Sequence, residues 1–347
     1  MGRSARPVAA TRLLSPAFGV PPPPGLLFRV LGAPPLETAG TRHSLYGEAM
    51  GTVWSAHLYG PPDAAPIRAR IEALLDGVIA EMSSWSPLAF LMRFNAAPAG
   101  TWLEAPAGFR RVLAEAVRIA ALTGGAFNPA AGALVDLWGF GPASRHDAPE
   151  AGDVAAAART AGRWRALAVE NTSVLQPGLA LDFSGIAKGY AVDLVAACLR
   201  EAGAPSFLVD IGGELYGQGV KDDAMPWWVE LEAPPGARAE PLVVALHGVA
   251  VATSGGYRRR RTLQGRTWTH TIDTRSGFPL AAAGAPVVSV VHASCMTADA
   301  LATALGVMGA DEALAFATRH DIAARIVAGE AEGFAESLSP ALAAMLA

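Results

Sequence analysis

Only two cysteines, Cys198 and Cys295, stand in 347 residues, each among apolar neighbours. That scarcity argues against a disulfide framework, and the Cys and His spacing offers no zinc site. Both thiols are expected to be buried and inert. Also missing is any run of about 18 apolar residues free of proline and charge, so no transmembrane helix is expected. Positive charge is not in excess either. Lys and Arg number 27 against 31 Asp and Glu, a net −4, which leaves no electrostatic case for nucleic acid. Nothing fits GxxxxGK[ST], so a Walker phosphate loop is absent. The glycines of "DIGGELYGQG" (210–219) follow a strand but open no helix, so they fail as a dinucleotide fingerprint. Gly212 and Gly213 are expected instead as a bulge or a close backbone contact. No short internal repeat is found.

What is present divides into three parts. Residues 1–42 include "SPAFGVPPPPGLLF", where four consecutive prolines fix φ and remove donors, so this segment is expected to be mostly disordered. Its apolar stretches are short and broken by proline, and no lipid-attachment cysteine follows, so no compartment is assigned. From 43 to 330 the chain reads as one continuous α+β unit, and 331–347 as a C-terminal tail. Helical spacing is clear over 67–85, 110–125, 184–203, 296–309 and 310–320. Strands are expected at 50–60, 206–219, 227–234, 242–255, 267–274 and 285–294, with a strand pair at 174–183. Strands in succession with few intervening helices predict a largely antiparallel sheet with flanking helices.

Several segments could carry chemistry. In "HASCMTADALATALGVMG" (292–309), Asp299 and Thr303 are four residues apart and share a helical face. One reading has Thr297 as N-cap, Asp299 favoured by the helix dipole and Thr303 bonding back one turn. The other has two hard oxygen ligands for a divalent cation. In "LALDFSGIAKGYAVDLVAACL", a strand ends at Asp182, Ser184 can cap, and Lys188 falls in the first helical turn. A cation there opposes the macrodipole unless an anion joins it or the side chain bends into solvent. "TGGAFNPAAGALVDLWGFG" (123–141) joins glycine-rich turns to aromatics, as a buried loop or as backbone approaching a flat ligand. "TWTHTIDTRSG" (267–277) sets His270 and Ile272 on one strand face, with Asp273 on the other near a turn closed by Gly277. His270 is either structural or a general base. "ATSGG" (252–256) looks like a nucleophile elbow around Ser254, but "YRRRR" (257–261) is no apolar helix and reads as a solvated turn or strand end.

Eight segments in order across roughly residues 45–325 resemble the ApbE family of FAD:protein FMN transferases: "AMGTVWS", "EMSSWSP…RFN", "TGGAFNPAAGALVDLWGFG", "LDFSGIAKGYAVD", "LVDIGGEL", "ATSGGYRR", "THTIDTRSG" and "MTADALATAL". The resemblance implies a T-fold-like, single bilobed catalytic domain over 43–330. It also implies an enzyme that uses FAD as substrate and Mg²⁺ as cofactor, moving FMN to a Thr or Ser hydroxyl of a target flavoprotein and releasing AMP. Carried over position by position, Met50, Trp85, Ala126, Phe127, Asn128, Asp182, Lys188 and Ile272 would line the FAD site. The Gly185 carbonyl, Asp299 and Thr303 would hold the metal, with the backbone of Ala302 close by, and His270 would activate the acceptor hydroxyl. The chain departs from the family pattern at Asn128, where Asp is usual, and at "LAFLMRFN" (88–95), which lacks the usual acidic and Ser-containing stretch. An FAD pyrophosphatase and a non-catalytic flavin-binding protein are the alternatives, and covalent FMN attachment against AMP release separates them.

Overall fold

The computed structural model describes residues 40–143, 147–222, 224–237, 241–330 and 333–346. The expectation for residues 1–39 therefore lies outside the described residues. The chain opens with β1 (Thr41–Ala49) and β2 (Thr52–Gly60), then α1 (Ala65–Met82), α2 (Phe90–Ala96), β3 (Thr101–Glu104) and α3 (Ala107–Leu122). Two helices follow, α4 (Gly132–Leu137) and α5 (Ala151–Ala161), before β4 (Val169–Glu170), β5 (Ser173–Gln176) and α6 (Ala187–Glu201). Next come β6 (Ser206–Ile211), β7 (Glu214–Gln218), β8 (Trp227–Glu230), β9 (Val243–Leu246) and β10 (Val249–Gly255). A three-stranded unit, β11 (Arg260–Leu263), β12 (Arg266–Asp273) and β13 (Phe278–Ala281), precedes β14 (Val287–His292) and α7 (Cys295–Met308). The chain closes with α8 (Ala310–Arg319), β15 (Ala323–Glu330), β16 (Gly333–Leu338) and α9 (Pro340–Leu346).

Eight strands form one sheet in the order β1-β2-β6-β7-β10-β14-β15-β16, and every neighbouring pair is antiparallel. The α+β, largely antiparallel expectation is met. Side-chain alternation sorts the two faces. Phe207, Val209 and Ile211 of β6 join the main core with α1, α3, α6 and α7, whereas Leu208 faces a second cluster with Trp227, Leu246 and Leu342. Ala250 and Ala252 of β10 are fully buried beneath α7. Helix α7 is buried on nearly all sides, which explains why its segment is so apolar. Both cysteines are free and buried.

Three local expectations need correction. The stretch 206–219 is a hairpin, not one strand: Gly212 and Gly213, at φ +66° and +102°, form a two-residue turn closed by the Ile211–Glu214 pair. The close approach expected there is real, since a Cβ on Gly212 would stand 2.8 Å from the Thr52 side chain. Residues 174–183 hold only the end of β5, because Asn95 and Gln176 side chains, rather than a second strand, satisfy the backbone at Leu179 and Leu181. The segment expected as a C-terminal tail supplies edge strand β16 and helix α9, with Leu342 and Leu346 buried under the sheet.

Candidate active site

The site lies at one end of the large sheet. Two hairpin tips meet there: Met50–Gly51, with φ +53° and +73°, and Gly212–Gly213 beside it. Gly212 N–H donates to the Val53 carbonyl at 3.1 Å, so the tips are joined. The end of β10, the N-terminus of α6 and one face of β12 complete a cavity of about 790 Å³, within the range of cofactor-sized sites.

Of the residues expected to form the site, Met50, Trp85, Ala126, Phe127, Asn128, Asp182, Gly185, Lys188, His270, Ile272, Asp299 and Thr303 all line this cavity. Ala302 does not. It is buried in the core on α7, directly before Thr303, and what was expected of it was its backbone. The cavity also receives residues that sequence reasoning missed, namely Glu214, Glu232, Arg258 and Arg259.

The glycine-rich turn after α3 carries Ala126, Phe127 and Asn128 to the wall. Thr123 holds it, donating to the Ile119 carbonyl and accepting from Phe127 N–H. Asn128 is fully engaged: its amide donates to Ala161 O at 3.2 Å and Thr274 Oγ1 at 2.9 Å, and its oxygen accepts from Ala130 N–H. At this position the amide is a structural tie as much as a lining group. Trp85 is 58 % exposed at the mouth, where the Arg259 guanidinium lies 5.9 Å from its ring centroid. The arginine run is the solvated turn and strand start expected, with Arg258, Arg259 and Arg260 exposed, and it also brings Arg258 and Arg259 to the cavity. Arg258 pairs with Glu232, and Arg261 donates to the Trp138 carbonyl at 2.7 Å.

Helix α6 begins later than expected, at Ala187, and its N-cap Ile186 makes no side-chain cap bond. Ser184 instead donates, through N–H and hydroxyl, to Asp182. Burial raises the Asp182 carboxyl, against the pull of those bonds and of Arg259. The free end of α6 is met from α7: Asp299 Oδ2 accepts Gly189 N–H at 3.0 Å. The N-cap of α7 is Ser294, not Thr297, which donates to Glu115. Asp299 thus lies beyond the first turn of its own helix, and the dipole it faces belongs to α6. One turn on, Thr303 approaches the α6 entry so closely that a Cβ on Gly185 would stand 2.8 Å from its Oγ1.

Lys188, in the first turn of α6, forms an ion pair with Glu214 of β7. Burial alone would push the ammonium down, but Glu214 and Asp299 hold it above the ordinary lysine range. Burial drives Glu214 up to about 7 in spite of Lys188, and Asp299 adds to the rise. Asp299 itself is raised by burial. Glu214 is 3 % exposed and its Oε2 has no hydrogen-bond partner. On β12, burial with the nearby cations of Arg259 and Lys188 lowers the His270 imidazole to about 4. It is neutral at pH 7, and its Nδ1 is buried without a partner.

No three His, Cys, Asp or Glu side chains group as a metal cluster among the described residues. The available donors are a carboxylate, a hydroxyl and a backbone carbonyl, a set suited to a hard cation that keeps several waters, as Mg²⁺ does. The buried orphan oxygen of Glu214 and the Gly185–Thr303 approach fit such a group.

Comparison with known proteins places the chain among relatives of similar sequence and fold. The ApbE family profile matches residues 50–326. The FAD:protein FMN transferase of Vibrio cholerae is 34% identical over 303 residues, covering 85% of this chain and 90% of the relative. That of Haemophilus influenzae is 33% identical, covering 86% and 90%. Among solved structures, the apo flavinyl transferase ApbE of Pseudomonas stutzeri superposes with a TM-score of 0.82 at 35% identity, covering 88% of this chain and 97% of that one. The ApbE flavin transferase of Vibrio cholerae gives 0.79 at 32%, covering 88% and 99%.

Proposed function

This chain belongs to the ApbE family, and from that premise we propose that it is an FAD:protein FMN transferase. It moves FMN from FAD to a threonine or serine hydroxyl of a partner flavoprotein and releases AMP. One observation carries the reading: a helix N-terminus that its own N-cap residue leaves without a side-chain cap, Lys188, the Asp299–Thr303–Gly185 donor set and a neutral His270 share one cavity.

The FAD pyrophosphate is held at the start of α6, where the positive end of the helix dipole and Lys188 face it. Met50, Trp85, Phe127 and Ile272, with Ala126, Asn128 and Asp182, line the remainder of the dinucleotide. Asp299, Thr303 and the Gly185 carbonyl would hold Mg²⁺, which neutralises charge on the phosphoryl oxygens when bound. The neutral imidazole of His270 takes the proton of the acceptor hydroxyl as its oxygen bonds to the FMN phosphorus. The bond from that phosphorus to the bridging oxygen breaks, and AMP leaves with the bonding electrons. The unpartnered Nδ1 of His270 supports this role, because a buried orphan nitrogen is costly unless a substrate uses the ring.

The test is incubation with FAD, Mg²⁺ and a candidate flavoprotein, followed by intact-mass measurement and AMP assay. An FMN mass increment on the partner with stoichiometric AMP supports the reading. AMP without the increment indicates a pyrophosphatase, and neither product indicates a flavin-binding protein.

A further inference from the structure

Glu214 is out of place in a site that takes a diphosphate. The cavity already lines its wall with Asp182, Glu232 and Asp299, and its cations are Lys188, Arg258 and Arg259. Arg258 is spent on Glu232, and Arg259 stands at the mouth against Trp85. Lys188 is the cation at the helix N-terminus, and Glu214 cancels it. Holding the ammonium steady does not require this. Asp299 is already near enough for its charge to act on Lys188, and a neutral amide at 214 could accept the same hydrogen bond. A second buried carboxylate with one oxygen empty is costly to fold.

Resting on the FAD reading above, we propose that Glu214 makes pyrophosphate binding conditional on the divalent cation, by cancelling Lys188 until the cation arrives. With Glu214 ionised, Lys188, Glu214 and Asp299 together carry one negative charge, which repels a dianionic pyrophosphate and attracts a divalent cation. With the cation present the group becomes net positive, and the pyrophosphate is accepted. Glu214 is thus a positioning residue that acts through Lys188, and it keeps the protein from holding FAD without its metal.

Two binding measurements at pH 8, where Glu214 is ionised, test this on the full chain. One is FAD titration in EDTA; the other is Mn²⁺ titration without flavin, followed by electron paramagnetic resonance. Glu214→Gln keeps the shape and removes the charge. It should tighten FAD in EDTA and weaken Mn²⁺ alone, each by about five- to thirtyfold, the size of one unit charge near a part-buried site. Opposite signs are the signature, because a merely structural role would weaken both. Changes of one sign, or no change, overturn the proposal. Should the glutamine variant not fold, Lys188→Gln carries the same test. Its Mn²⁺ affinity should rise at least about fivefold while its FAD binding in EDTA stays as weak as the parent's or weaker, and unchanged or weaker Mn²⁺ overturns the idea. A parent protein that binds no FAD even with Mg²⁺ overturns both this proposal and the transferase reading. A parent that binds FAD with Mg²⁺, beside a glutamine variant without the opposed shifts, overturns this proposal alone.

Discussion

Asn128→Asp introduces the residue that the family resemblance implies at this position, and the structure predicts that it harms this chain. The Asn128 amide donates to Ala161 O and to Thr274 Oγ1. Neither bond survives the exchange unchanged. The Ala161 carbonyl can only accept, so a carboxylate would face it without a proton between them. Thr274 already gives its hydroxyl proton to Gly125 O at 3.3 Å, so bonding to the new carboxylate would strip that contact. Losing two net hydrogen bonds and burying a poorly paired carboxylate should cost about 2–4 kcal/mol. The cost has a pH signature. The folded state would hold the new carboxyl protonated above its unfolded value near 3.9, so the folded protein binds more protons and loses stability as pH rises through that window. Urea denaturation of variant and parent at pH 5 and pH 8 measures it, and the gap between them should widen at pH 8. Equal midpoints at both values would refute the assignment of Asn128 as a structural tie.

Four further outcomes follow from the site. Asp299→Asn keeps an acceptor for Gly189 N–H, so it should cost only about 0.3–1 kcal/mol of stability. Transfer should collapse and partly return with raised Mg²⁺ or with Mn²⁺; AMP release against metal concentration tests this, and an unchanged metal dependence rejects Asp299 as ligand. His270→Ala should keep FAD binding and lower transfer by about 10²–10⁴-fold. Because burial depresses this imidazole to about 4, the unfolded chain binds more protons between there and about 6.5, so its contribution to stability is lost as pH falls through that window. Replacement with Gln should flatten that part of the stability profile, and an unaltered slope would contradict the burial. Lys188→Ala should weaken FAD more than FMN, as titration of both ligands would show; equal losses would move Lys188 away from the pyrophosphate.

Much of the local structure was legible from period and punctuation. Helices α1, α3 and α6 follow apolar spacing, and the His270–Ile272 face of β12 follows alternation. The strand β1 was missed because it is an edge strand with mostly exposed residues, and its turn places Met50, not a turn-forming residue, at positive φ. The Gly212–Gly213 signal was visible but fits a bulge or a hairpin equally until strand pairing chooses between them. The helical spacing of Asp299 and Thr303 could be read, whereas the partner of Asp299 could not: Gly189 is 110 residues away. Glu214 escaped notice for the same reason. Its meaning depends on a sheet hairpin meeting a helix N-terminus, and neither period nor motif spacing encodes that meeting.

The beginning of α6 shows how function is written into a local defect. A helix start normally takes Ser, Thr, Asp or Asn at the N-cap, worth roughly 1 kcal/mol. Here the N-cap is Ile186, and Ser184, two residues earlier, spends its donors on Asp182. A side-chain cap would occupy the N–H groups that an incoming phosphate needs, so capping and binding compete for the same donors. The helix persists because its opposite needs are met elsewhere. Val192, Val195, Ala196 and Leu199 are locked in the main core, and Asp299 secures one N–H from outside. The Phe183 carbonyl takes the Ala187 N–H, so tertiary packing and borrowed acceptors stabilise a helix start that no N-cap side chain covers.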